Sequence, residues 1–133
     1  VPLDADPVAI RAAAHEDINL ITILVAANGA GLELLDRDGK WLAVDTDPDN
    51  LIVDAGDMLA RATNDVIPAT THRVINPPNA ANVARYSMPF FMHPHSAAVL
   101  DCIPSCRGAG AKYPPITADA FLKQRLKEIG LAG

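Results

Sequence analysis

Ala14-His15-Glu16-Asp17-Ile18-Asn19-Leu20-Ile21-Thr22 sets an imidazole and a carboxylate two residues apart, directly before an apolar, β-branched run. In extended backbone, residues i and i+2 point to one side, so His15 and Asp17 can reach a single ion. A third ligand must come from farther along the chain, and His72 in Thr70-Thr71-His72-Arg73-Val74 is the candidate. Read alone, the same three residues also fit a half-buried histidine whose tautomer is fixed by a carboxylate.

Outward from that stretch, Ile10 to Ala14 reads as a short strand leading into His15. Leu20 to Ala26 reads as a strand suited to burial on both faces, ended by Asn28-Gly29-Ala30-Gly31. Leu32 to Leu35 and Trp41 to Val44 flank the polar link Asp36-Arg37-Asp38-Gly39-Lys40, the pattern of a β-hairpin with Trp41 in its core. Leu51 to Asp54 is a strand, after which Gly56-Asp57 turns the chain into Met58 to Thr63, with Asp54 and Asp57 fixing that turn; Asn19 and Asn64 can face the pocket, but turn or strand-end roles are commoner. Thr70 to Ile75 runs extended through His72, Asn76 to Asn82 is a loop, and Arg85 to Met92 is an aromatic strand in which Pro89 demands an edge or a bulge. Ala98 to Ile103 is the last strand. Thr117 then caps a helix from Ala118 to Ile129, with Leu122, Leu126 and Ile129 on one stripe and Gly130 past its end. Many short strands with one terminal helix predict a mainly β jelly roll over residues 1–133 as a single domain.

The totals exclude several roles. Eleven Lys and Arg against sixteen Asp and Glu, a net charge of -5, with no basic run, argue against a nucleic-acid surface. No stretch approaches the ~20 apolar residues of a membrane span, and no basic-then-apolar leader opens the sequence. Two cysteines are too few for a disulfide framework, so the expected location is cytoplasmic. Half the residues are nonetheless hydrophobic, which is high for a chain of 133 residues.

Two histidines and one carboxylate with the remaining positions open form the ligand pattern of non-haem Fe(II) sites. Arg85-Tyr86-Ser87 adds to that reading: on one strand, a guanidinium fork and a hydroxyl at i and i+2 share a face and can together hold a carboxylate, although a strand arginine taken alone is more often solvated or paired at the surface. A short dicarboxylate would then touch the ion at one end and Arg85 at the other.

His15-x-Asp17, Gly56-Asp57-Met58-Leu59, Thr63-Asn64, Thr71-His72-Arg73-Val74, Arg85-x-Ser87-x-Pro89-Phe90-Phe91 and Tyr113-Pro114-Pro115-Ile116-Thr117, in this order, resemble the isopenicillin N synthase-like group of 2-oxoglutarate and Fe(II)-dependent dioxygenases. The resemblance implies a double-stranded β-helix, a cupin-like barrel. It further implies Fe(II) on His15, Asp17 and His72, and the far carboxylate of 2-oxoglutarate on Arg85 and Ser87. Three protein ligands leave three positions of an octahedral ion for a bidentate 2-oxo acid and dioxygen. The implied reaction hydroxylates or desaturates a small organic substrate while 2-oxoglutarate becomes succinate and CO2, with ascorbate as an accessory reductant. Family members usually carry a helical N-terminal region before the residues of this chain, so the sequence is expected to be either a fragment or a natural short form, with a barrel face buried by another copy or a partner.

Three rival readings remain at this stage. His93-x-His95 with Cys102-x3-Cys106 has spacing a zinc site can use, although Pro94 and Pro104 stiffen both pairs and favour loop and packing roles. A shortened barrel working as a non-catalytic binding or assembly module is the second. An iron oxidase that uses no 2-oxo acid is the third.

Overall fold

The computed structural model describes residues 9–77 and 83–131, and among them nine strands and two α-helices carry the chain. The strands are β1 (Ala12–His15), β2 (Ile21–Val25), β3 (Leu32–Leu35), β4 (Trp41–Ala43), β5 (Leu51–Ala55), β6 (His72–Val74), β7 (Met88–Met92), β8 (Val99–Leu100) and β9 (Ile116–Thr117). Helix α1 spans Asp57–Ala62 and α2 spans Ala118–Glu128. All pairing among these strands is antiparallel. One sheet has the order β1-β6-β3-β4, a second β5-β2-β7, and β8 pairs with β9. This is the mainly β jelly-roll architecture that the strand spacing predicts.

The two larger sheets face each other across a cavity of about 390 Å³. Strand alternation decides what lines it: Thr22 and Leu24 from β2, Ile52 and Asp54 from β5, and Pro89 and Phe91 from β7 all point inward. The opposite phase forms rows on the outer face, Val53-Ile23-Phe90 and Leu51-Val25-Met88. Leu51 and Val53 are each 62% exposed, Phe90 64% and Met88 69%. The expectation that β2 is buried on both faces therefore fails: one face meets the cavity and the other lies in an open apolar sheet surface. That surface accounts for part of the high hydrophobic content.

The packed core lies elsewhere. Met58, Leu100, Ala118 and Phe121 form a buried cluster against which Ile18, Leu20, Ile116 and Leu122 pack, so α1, α2 and β8 close over the loop that follows His15. Thr117 caps α2 as expected, its Oγ1 accepting from the Ala120 N–H at 3.3 Å. The predicted stripe holds only at its start: Leu122 packs on the core beside Ala118 and Phe121, which dock the helix by its first turns, while Ile129 is more than half exposed. The hairpin forms where expected, with the Asp36 carboxylate accepting from the amides of Asp38 and Lys40 at 2.9 and 2.8 Å. Trp41 lies under the Arg73 guanidinium, 3.9 Å from its ring centroid. Pro89 sits on the edge strand β7, where a missing N–H is tolerated. The strand expected from Ala98 to Ile103 is confined to Val99 and Leu100. Of the Asn76 to Asn82 loop, residues 78–82 lie outside the described residues. No helix among the described residues is long and apolar enough to cross a membrane.

Candidate active site

Strand pairing, not sequence proximity, unites the two histidines. β1 pairs with β6 so that His15 and His72 are cross-strand partners, their ring centroids 4.3 Å apart. Each Nδ1 is turned to a backbone carbonyl, His15 to Ala13 at 2.7 Å and His72 to Thr70 at 3.0 Å. A carbonyl only accepts, so both rings carry a hydrogen on Nδ1, and in the neutral imidazole the lone pair then lies on Nε2. Both Nε2 atoms face Asp17 Oδ1, at 3.8 Å from His15 and 4.0 Å from His72. One donor atom from each of the three lies within 4.8 Å of the others, a spread that one cation can bridge, and this is the arrangement of a two-histidine, one-carboxylate metal centre.

Asp17 is set by its surroundings. Its Oδ2 accepts a short hydrogen bond from the Thr22 hydroxyl, which leaves Oδ1 for the histidine side. Asn19, fully buried, donates to Thr22 Oγ1 at 3.0 Å and to the Ile21 carbonyl at 2.9 Å. Sequence alone favours a turn or strand-end role for Asn19 over one facing the pocket. Its burial under Thr22 makes it a support for the Asp17 carboxylate. The amides opening α1 grip the same loop, Asp57 N–H donating to the Asp17 carbonyl at 2.8 Å and Met58 N–H to the Asn19 carbonyl at 3.1 Å. Gly56 permits that approach, because a Cβ there would stand 2.2 Å from the Asn19 carbonyl oxygen and 2.8 Å from that of Asp17. A Gly56→Ala chain is therefore expected to lose roughly 1 to 3 kcal/mol of stability, read as a lowered denaturant midpoint with an unchanged slope.

Asp54 is a second correction. It does not fix the turn beside Gly56 but points into the cavity from β5, with Oδ2 3.3 Å from His72 Nδ1. Burial pushes its carboxyl above the usual carboxylate range, against the lowering effects of a Thr70 hydrogen bond and of His72. The period-two phase it shares with Ile52 was the available signal. Asp57, the other half of that expectation, instead pairs with Arg125 of α2 at 2.9 Å.

Arg85 and Ser87 border the same cavity as His15, Asp17 and His72. They do not stand on one strand, since β7 begins at Met88; their segment is held by mutual bonds between Asn28 and Tyr86, and by Arg85 Nε donating to the Gly29 carbonyl at 2.9 Å. Arg85 reaches Ser87 Oγ at 3.5 Å. Burial and then the like charge of Arg11 weaken the guanidinium's hold on its proton, and a carboxylate arriving there would offset both. His93, His95, Cys102 and Cys106 form no metal-binding group among the described residues, and both cysteines are free. Asn64 has a structural task, its side chain bonding the backbone of Cys106, Gly110 and Lys112 at 3.2, 3.1 and 2.8 Å.

The fold and the gathered side chains define a class: an antiparallel double-sheet barrel with a candidate two-histidine, one-carboxylate centre facing its interior. The chain belongs to the 2OG-Fe(II) oxygenase superfamily, whose family model matches residues 1–94, as the order of motifs implied. It is similar to the 2-oxoglutarate-Fe(II) type oxidoreductase hxnY of Emericella nidulans, 37% identical over 118 residues, which are 86% of this chain and 33% of that protein. Among solved structures, a 2OG-Fe(II) oxygenase family protein from Caulobacter crescentus superposes with a TM-score of 0.85 at 46% identity, over 96% of this chain and 43% of that one. A full-length Neurospora crassa protein solved in complex with alpha-KG also gives 0.85, at 33% identity over 93% of this chain and 39% of the other. The chain spans about a third of the length of the curated relatives it matches.

Proposed function

We propose that this chain carries the iron and 2-oxoglutarate site of a dioxygenase that hydroxylates or desaturates a small organic substrate. His15 Nε2, Asp17 Oδ1 and His72 Nε2 would hold Fe(II), and Arg85 with Ser87 would hold the far carboxylate of 2-oxoglutarate. The observation that carries the reading is that all five side chains border one cavity, with three donor atoms gathered at a point and a cation on the same wall system. The similarity to the Neurospora crassa protein solved with alpha-KG supports the choice of cosubstrate.

The chemistry supplied by iron and 2-oxoglutarate when bound is oxidation of a substrate C–H bond by dioxygen, coupled to conversion of the 2-oxo acid into succinate and CO2. The protein's part is to place and to shield. Thr70 and Ala13 fix the histidine tautomers, Thr22 turns one Asp17 oxygen away and leaves the other available, and Leu24, Leu34, Ile52, Val74 and Phe91 line the cavity with apolar surface that strengthens each charge contact within it. The test is succinate formed from 2-oxoglutarate with Fe(II), ascorbate and oxygen. Metal-dependent succinate above a no-protein control is expected. Metal binding with no succinate would favour the non-catalytic module. We place the protein in a reducing compartment, which its free cysteines support.

The open rows on the β5-β2-β7 sheet favour one addition: that face is covered by a second copy or another polypeptide. Light scattering is expected to show association that grows with concentration. A strictly monomeric particle over a wide range of concentration would contradict it.

A further inference from the structure

Asp54 is a carboxylate that the proposed iron and cosubstrate ligands do not use, yet it stands against one of them. Its Cα faces Thr22 across the β2–β5 ladder, and Thr22 is the residue whose hydroxyl holds Asp17. Thr22 thus links the two carboxylates, hydrogen-bonded to Asp17 and the cross-strand partner of Asp54. Asp54 Oδ2 lies 3.3 Å from His72 Nδ1, the nitrogen that also faces the Thr70 carbonyl at 3.0 Å. The Thr70 carbonyl takes the Nδ1 hydrogen, which leaves Nε2 toward Asp17, and Asp54 stands beside that N–H as a neighbouring carboxylate.

The other oxygen, Asp54 Oδ1, is buried without a hydrogen-bond partner among the described residues. A carboxylate kept for stability would have both oxygens satisfied, because an unpaired buried charge is costly. A cation held beyond His72 would offset that cost through the ring and across the cavity. His15 differs: its Nδ1 meets only a carbonyl and its side chain is 48% exposed. The support is confined to the less exposed of the two histidines.

Resting on the metal-site reading above, we propose that Asp54 is a positioning residue for His72 and a charge-setting residue for the pocket, tightening a divalent cation while opposing the dianionic cosubstrate. A carboxylate behind a ligating imidazole orients the ring and raises its donor strength. The charge count gives the second half: a divalent ion with Asp17 and the Arg85 guanidinium leaves two positive charges for the incoming dianion, and an ionised Asp54 lowers them to one.

The test uses the full chain with Mn(II) as the probe. Asp54→Asn keeps the shape and removes the charge. Its Mn(II) dissociation constant, from free-ion electron paramagnetic resonance, is expected to rise about 10-fold or more. The affinity of the Mn(II)-saturated variant for 2-oxoglutarate, by calorimetry, is expected to hold or increase. Its metal-free thermal midpoint is expected to stay or rise, because an unsatisfied buried charge has gone. Asp54→Ala gives the same comparison should the amide fold poorly. Unchanged Mn(II) affinity overturns the proposal. So does a joint fall in metal affinity, cosubstrate affinity and thermal midpoint, the mark of a merely structural residue. Asp17→Ala and His72→Ala separate the two claims: if both bind Mn(II) like the parent, the metal-site reading fails, and if both lose it while Asp54→Asn does not, only the role of Asp54 fails.

Discussion

A His72→Ala chain is expected to form no measurable succinate from 2-oxoglutarate and to bind Fe(II) or Mn(II) far more weakly than its parent. The loss should exceed the roughly 10- to 100-fold that follows removal of a group one shell farther out. His72 has this weight because it is the cross-strand partner of His15 and shares Asp17 Oδ1 with it. Without it, a carboxylate and a half-exposed imidazole remain, too few donors for a divalent ion in competition with water. The β3 neighbour Leu34 and the backbone ladder do not depend on the imidazole, so unfolding by denaturant should place the variant near the parent. Parent-like metal binding in a folded His72→Ala chain would remove this residue from the site.

The second large effect concerns Arg85. Arg85→Ala is expected to weaken 2-oxoglutarate by roughly 2 to 5 kcal/mol, the loss typical of a buried charged pair deprived of one partner, or about 30- to 4,000-fold in apparent affinity. Mn(II) affinity without cosubstrate should hardly change, since Arg85 is not one of the three donor residues. Arg85→Lys should recover part of the loss, because the charge returns without the planar fork. A KM for 2-oxoglutarate unaltered by Arg85→Ala would show that the far carboxylate is held elsewhere.

Some of this was legible before any coordinates. The two-residue spacing of His15 and Asp17 needs only local extended geometry, and the five-residue polar link between Leu35 and Trp41 has one good solution as a hairpin. Thr117 announces its helix because its hydroxyl serves an otherwise unpaired amide. Contacts between distant segments were harder. Asp54 read as a turn residue because Gly56 follows so soon, and only the ladder to Thr22 shows that its phase is inward. Asn19 read as a strand end, since nothing local says that α1 will fold over it. The stripe on α2 holds at Leu122 but not at Ile129, because its partners, Met58 and Leu100, meet the helix at its beginning, and a periodic pattern does not say which end docks. Arg85 and Ser87 reach the cavity from outside the strand expected to carry them, as Asn28 takes over the pairing before Met88.

The most direct test is anomalous diffraction from crystals grown with Mn(II) and 2-oxoglutarate. The account predicts a single manganese peak in contact with His15 Nε2, Asp17 Oδ1 and His72 Nε2, with the far carboxylate of the diacid against Arg85. A peak at any other group of residues, or a diacid whose far end leaves Arg85 in water, would contradict it.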